Sequence, residues 1–171
     1  MDRKHILFST LLVIVLLFVA ALPVAQAAPP TPASGPTLVE VAIAVNDETG
    51  EFSTLIAAVQ AADLVDALNR KGKMTVFAPT DAAFAELGLN AGNIGALPQD
   101  TLTNILLYHV TSGNRLSQSV IGADQIRMAN GQFTEISVTD SGVFINDAQI
   151  VAVDVLAGNG VIHVIDSVLL P

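Results

Sequence analysis

The sequence predicts an α+β domain, in which a twisted antiparallel sheet or sandwich is covered by helices on one side. Three observations predict it. Apolar residues recur at helical spacing through the first half, the period changes to two after Gly113, and turn signals divide the second half into short segments.

The elements follow in chain order. Arg3 and Lys4 precede an apolar stretch from Ile6 to Ala21, and Ala25-Gln26-Ala27 supplies the small residues of a cleavage site, so residues 1–27 read as a signal peptide cut after Ala27. Residues 28–36, Ala-Pro-Pro-Thr-Pro-Ala-Ser-Gly-Pro, favour extended geometry and offer nothing to a core; they read as a linker. The remaining residues, 37–171, form the expected domain.

From Thr37 to about Asn69 the pattern is helical. Val39, Val41 and Ala42 open it, Phe52, Leu55, Ile56 and Val59 share one face, and Leu64, Val65 and Leu68 restart it after Asp63, a candidate cap for a third helix. Met74-Thr75-Val76-Phe77-Ala78 is an apolar run of β-formers closed by Pro79. Thr80 can cap the helix that follows, Asp81 suits its first turn, and Phe84 lies on its apolar face. Pro98 to Tyr108 is a further helix, with Leu102, Ile105, Leu106 and His109 at i, i+3, i+4 and i+7.

Beyond Gly113 the chain reads as strands. Asn130-Gly131 signals a hairpin, and Asp140-Ser141-Gly142, Asn146-Asp147 and Gly158-Asn159-Gly160 mark the other turns, the last through unusual backbone angles. The final strand, Val161 to Leu169, places Val161, His163, Ile165 and Leu169 on one face and Ile162, Val164, Val168 and Leu170 on the other. With both faces apolar, it belongs inside the sheet.

Composition narrows the function classes. Removing residues 1–27 takes Asp2, Arg3 and Lys4 from the 16 acidic and 7 basic side chains, leaving 15 against 5 and a formal charge of −10. A surface of that sign disfavours nucleic acid and anionic lipid as partners. The chain has no cysteine, so it must rest on an ordinary apolar core, for which it is long enough.

Three segments carry a resemblance. Thr75-Val76-Phe77-Ala78-Pro79-Thr80-Asp81-Ala82-Ala83-Phe84 resembles the first signature of fasciclin domains, Asn159-Gly160-Val161-Ile162-His163-Val164-Ile165-Asp166 resembles the second, and Leu107-Tyr108-His109-Val110 is similar to the tyrosine-histidine motif between them. The resemblance covers about Thr37 to Pro171 and implies a wedge-shaped β-sandwich with a cluster of α-helices, in secreted or surface proteins that mediate adhesion. It brings no catalytic residue. In animal relatives the tyrosine-histidine motif and an aspartate-isoleucine pair are linked to integrin binding. The matching positions here are Tyr108-His109 and Asp154-Val155, with valine in place of isoleucine. These four are the candidate contact residues. Phe77, Pro79, Thr80, Asp81, Phe84, Asn159, Gly160, His163 and Asp166 are the structural residues of the two signatures.

His109 and His163 are the histidines beyond residue 27, and their apolar settings favour neutral, hydrogen-bonded core side chains over catalysts or ligands. No Gly-x-Ser-x-Gly elbow is present, and Asp140-Ser141-Gly142 lacks the further ligands of a calcium loop. The expectation is a monomeric exported module, periplasmic or extracellular, with no catalysis, metal, cofactor or stable membrane insertion. It binds a protein or glycan through exposed loops. Two alternatives stand behind it: a binding protein for a small apolar or carbohydrate ligand held between helices and sheet, and, last, an extracellular hydrolase.

Overall fold

The computed structural model describes residues 35–70 and 72–171. The expected signal peptide and residues 28–34 of the linker lie outside the described residues.

Helix α1 (Leu38–Thr49) starts at a capping box: Thr37 accepts from the Glu40 amide while the Glu40 carboxylate accepts from the Thr37 amide. Thr37 and Glu40 have the Thr-x-x-Glu spacing of that motif. Helices α2 (Ser53–Ala61) and α3 (Val65–Asn69) complete the N-terminal cluster. Asp63 does not cap α3, whose N-cap is Leu64; it takes the left-handed conformation, at φ 57°, in the turn between the helices. Strand β1 (Met74–Pro79) leads into α4 (Asp81–Glu86), which Thr80 caps by accepting from the Ala83 amide. A single 3₁₀ turn at Ile94–Ala96 precedes α5 (Gln99–Tyr108), which begins one residue after Pro98.

The second half holds β2 (Val110–Ser112), β3 (Gln125–Arg127), β4 (Phe133–Thr139), β5 (Gly142–Ile145), β6 (Ala148–Ala157) and β7 (Gly160–Ile165). It also holds a helix that the period-two reading missed, α6 (Ser117–Ile121). The expected turns join β3 to β4, β4 to β5, β5 to β6 and β6 to β7. The final strand stops at Ile165, short of the expected Leu169.

The sheet corrects the expected antiparallel sandwich. Its seven strands run in the order β2-β1-β7-β6-β5-β4-β3, and β1 pairs with β7 in parallel, from Met74 opposite Gly160 to Pro79 opposite Ile165. The two ends of this order approach each other. The Ala129 amide, just past β3, donates to the Val110 carbonyl of β2 at 2.7 Å, and the Thr111 hydroxyl donates to the Arg127 carbonyl at 2.7 Å. The sheet is therefore nearly barrel-shaped. Register shifts in β6 between Ile150 and Val155 supply part of the bend that such curling requires.

Curling creates two apolar cores. On the helix side, Val76 and Ala78 of β1 and Ile162 and Val164 of β7 pack against Leu38, Leu55, Val59, Phe84, Leu102 and Leu106. On the enclosed side, Phe77 and Ile165 meet Tyr108, Ile126 and Ile145, bringing together strands from opposite ends of the order. Alternation along β1 and β7 explains the split, because successive side chains leave opposite faces of a strand. All six residues of β7 are buried, as its two apolar faces require.

Candidate functional site

The signature residues build the scaffold before anything else. Phe77 and His163 are register partners across β1 and β7, both fully buried, with ring centroids 5.5 Å apart and stacked. Asn159 is buried in the β6–β7 turn. Its side-chain oxygen accepts from the Leu38 amide at 2.8 Å, and its amide nitrogen donates to the Leu68 carbonyl at 2.6 Å, tying α1 and α3 to the sheet. Gly160 has a steric reason, not the expected angular one: a Cβ there would lie 2.2 Å from the Met74 carbonyl oxygen. Asp166 extends the β6–β7 pairing by accepting from the Gln149 amide at 2.8 Å. Pro79 ends β1 where it faces Ile165, and Phe84 fills the helix-side core.

Asp81 does more than begin its own helix. Its carboxylate accepts from the Ser53 hydroxyl and from the Thr54 amide at 2.8 Å, so it closes the N-terminus of α2 from 27 residues away. Burial alone would raise its pKa, but the hydrogen bonds from Ser53 and Thr54 outweigh that and hold the carboxyl below its ordinary value. Asp81→Ala removes a charged cap, and urea unfolding should show a loss of about 1–2 kcal/mol. In a Ser53→Ala background the loss should shrink, because the two residues share one network.

Of the four candidate contact residues, Tyr108 and His109 lie in the core, at 5% and 2% exposure. The Tyr108 hydroxyl donates to the Phe133 carbonyl at 3.0 Å and accepts from the Asn146 side-chain Nδ2 at 3.1 Å. His109 donates through Nδ1 to the Ile105 carbonyl at 2.8 Å and accepts at Nε2 from the Leu169 amide at 3.0 Å. That pattern requires one ring proton, so the imidazole is neutral. Burial, opposed by the Ile105 bond, lowers its pKa to about 4.

Asp154 and Val155 belong to a different network. Asp154 sits in the β6 irregularity at φ 60°, where aspartate is tolerated better than most residues. Its carboxylate accepts from the Ser117 amide at 2.7 Å and the Ser117 hydroxyl at 2.6 Å, fixing the start of α6, and these bonds lower its pKa. Its amide donates to His163 Nδ1 at 3.3 Å, while His163 Nε2 donates to the Arg115 carbonyl at 2.7 Å. Val155 is half-buried opposite Ile162 and packs on the helix-side core. No hydrogen bond joins Tyr108 or His109 to Asp154 or Val155 among the described residues.

The sequence reading missed a cavity of about 300 Å³ at the seam where the sheet ends meet, lined by Ser112, Arg115, Arg127, Met128, Ala129 and Gly131. One signal was present: of the five basic side chains beyond residue 27, these two arginines alone follow residue 73. Apolar space also lies beneath the helices. A cavity of about 140 Å³ between α1, α2 and the β1–β7 pair and one of about 200 Å³ toward α5 share Leu55, Val59, Leu68 and Val76 as walls. Among the described residues, no cluster of histidine and carboxylate side chains could hold a metal ion, and no helix is long and apolar enough to cross a membrane.

A helix-covered, nearly closed seven-stranded sheet, with its signature residues spent on internal ties, defines a class of scaffold, and the comparisons say which. The fasciclin domain family matches residues 50–171, and the chain belongs to that family. It is 45% identical over 140 residues to protein sll1483 of Synechocystis sp., covering 81% of this chain and 75% of the relative. It is 36% identical over 156 residues to the immunogenic protein MPB70 of Mycobacterium bovis, covering 86% and 78%. Transforming growth factor-beta-induced protein ig-h3 of Sus scrofa is 39% identical over 120 residues, which are 70% of this chain but 18% of that much longer one. Among solved structures, a FAS1 domain pair from the insect cell adhesion molecule fasciclin I superposes with a TM-score of 0.62 at 17% identity, over 80% of this chain and 51% of that one. That likeness concerns the fold.

Proposed function

We propose that this chain is an exported interaction module that adheres to an extracellular protein or glycan, and that it does no catalysis. The observation that carries the reading is family membership together with the placement of the signature residues: with Tyr108 and His109 in the core, the contact surface lies in loops and exposed strands. Apolar side chains are available there, including Val151, Val153 and Leu156 of β6, at 48–67% exposure. The chemistry of the histidines supports the non-catalytic part. Each ring has both nitrogens engaged by backbone groups, and neither offers a free base to a substrate.

The test is binding of the purified chain, residues 28–171, to intact cells and to immobilised extracellular matrix. Saturable binding that survives Tyr108→Phe and is lost on changing Val151, Val153 and Leu156 to serine supports the proposal. Folded protein that binds neither surface overturns it.

A second reading draws on the two apolar cavities under α1 and α2. Both are clefts lined almost wholly by apolar side chains, a setting that suits a small apolar ligand held between helices and sheet. A ligand of that class should raise the melting temperature by mass action. A screen of fatty acids, sterols and terpenoids without a shift contradicts it.

A further inference from the structure

We propose that Asn130 is a site of spontaneous deamidation, and that the isoaspartate formed there loosens the seam of the sheet. Asparagine followed by glycine occurs twice in the chain, at Asn130-Gly131 and Asn159-Gly160. The reaction brings the glycine amide nitrogen onto the asparagine side-chain carbon, and a residue without a Cβ leaves that approach open. The fold treats the two pairs differently. Asn159 is buried; its Oδ1 accepts from the Leu38 amide at 2.8 Å, and its Nδ2 donates to the Leu68 carbonyl at 2.6 Å and the Arg70 carbonyl at 3.3 Å. Gly160 is wedged against Met74 in the β1–β7 ladder, so neither group can move toward the other without parting the core. Asn130, half-buried, lies in the three-residue loop 129–131, which the Met128 amide closes by donating to the Gln132 carbonyl at 2.8 Å, with Gly131 at φ 90°. Ala129 and Gly131 are exposed, and nothing lies within 4 Å of the position a Gly131 Cβ would take.

The loop also activates the side chain. Asn130 Oδ1 accepts from the Gln132 amide at 3.1 Å, which polarises the side-chain carbonyl and stabilises the oxyanion that attack creates. Its Nδ2 donates to Asn104 Oδ1 at 3.3 Å in an exposed contact, so the leaving nitrogen is weakly held. One bond guards the nucleophile: the Gly131 amide donates to the Met128 carbonyl at 2.9 Å, and opening of the exposed loop releases it. The freed nitrogen then bonds to Asn130 Cγ, and its proton passes to Nδ2, which departs as ammonia. The succinimide takes up one water molecule. Cleavage at Cγ gives aspartate; cleavage at the main-chain carbonyl gives isoaspartate, whose backbone runs through Cβ and Cγ and is one carbon longer. The balance is an amide and water giving a carboxylic acid and ammonia, with no change of oxidation state. The seam feels the extra carbon because the Ala129 amide, beside the reacting residue, donates to the Val110 carbonyl at 2.7 Å.

The test is ageing of ¹⁵N-labelled residues 28–171 at pH 8, in buffer and in guanidinium chloride, followed by peptide mapping with mass spectrometry and enzymatic methylation of isoaspartate. In denaturant the two asparagines should convert at similar rates, since each precedes glycine. In buffer Asn130 should convert about tenfold faster than Asn159 or more, with isoaspartate among its products. The isoaspartate form, separated by ion exchange, should exchange its Ala129 amide about tenfold faster than fresh protein, as loss of one hydrogen bond requires. Asn130→Asp, which adds the charge on an ordinary backbone, should keep the fresh protein's exchange rate at Ala129. Asn130→Gln, which would have to close a six-membered ring, should age without change at this position. An Asn130 that stays intact in the folded chain while denatured chain converts overturns the proposal. So does equal conversion of Asn159 in buffer, or Ala129 exchange that is the same in the isoaspartate form and in fresh protein.

Discussion

Replacing Gly160 by alanine should lower the unfolding free energy by about 3–5 kcal/mol, among the largest effects available to one methyl group. The added carbon would lie 2.2 Å from the Met74 carbonyl oxygen and 2.9 Å from Leu38 Cδ1. Leu38 can turn aside; the carbonyl cannot. Met74 and Gly160 are the first register pair of the parallel β1–β7 ladder, so relief requires the two central strands to separate where α1 docks. Urea unfolding should show a sharply lower midpoint with little change in slope. For contrast, Gly50→Ala, where a Cβ meets nothing within 4 Å, carries only the backbone penalty of φ 74° and should cost about 1 kcal/mol.

The second large effect is acid sensitivity centred on His109. In the unfolded chain its imidazole takes up a proton near pH 6.5; in the fold, burial delays protonation to about pH 4. Between those values the unfolded state binds more protons, so stability rises with pH across the window and is fully present above 6.5. Acidification from pH 7 to pH 4 should remove about 3 kcal/mol, at about 1.4 kcal/mol per pH unit of separation. Protonation also ends the hydrogen bond from the Leu169 amide to Nε2, so the C-terminal segment should loosen first. Asp81 and Asp154 act lower on the scale. Their carboxyls are depressed in the fold, and their contributions disappear as pH falls through those lowered values, below the ordinary carboxylate range. Urea midpoints at pH 7, 5.5 and 4 follow the histidine window, and a further series at about pH 2.5 enters the carboxylate window.

Local pattern made the helices and turns readable. The Leu102–Ile105–Leu106–His109 face, the Thr80 cap and the two-faced β7 strand depend on residues close in sequence, and the structure has them. The parallel β1–β7 pair was not readable, because its strands lie more than 80 residues apart and their apolar runs suit either direction. The near-closure of the sheet was hidden for the same reason: it rests on contacts from Val110 to Ala129 and from Thr111 to Arg127 that no periodicity announces. Helix α6 escaped because five residues, Ser117–Ile121, are too short to establish a period, and its start is fixed by Asp154 from across the fold.

The candidate site shows the same division. That Tyr108 has an apolar setting could be read from α5, but its partners, Phe133 and Asn146, could not. Asp81 looked like a first-turn acid because Thr80 precedes it; its service to α2 depends on a contact across 27 residues. Arg115 lay in a loop without pattern, and its importance rests on Thr75 and His163, residues the sequence marked for the core.

All of this depends on the tyrosine-histidine and second-signature histidines being internal struts with their ring nitrogens committed to the backbone. Long-range ¹⁵N NMR of the two imidazoles between pH 8 and pH 4 tests that most directly. His109 is expected as the neutral Nδ1–H form, held until about pH 4, and the hydrogen bonds of His163 put its donor on Nε2 and its acceptor on Nδ1. A His109 ring that titrates reversibly near pH 6.5 in the folded protein, as an exposed imidazole does, would contradict it.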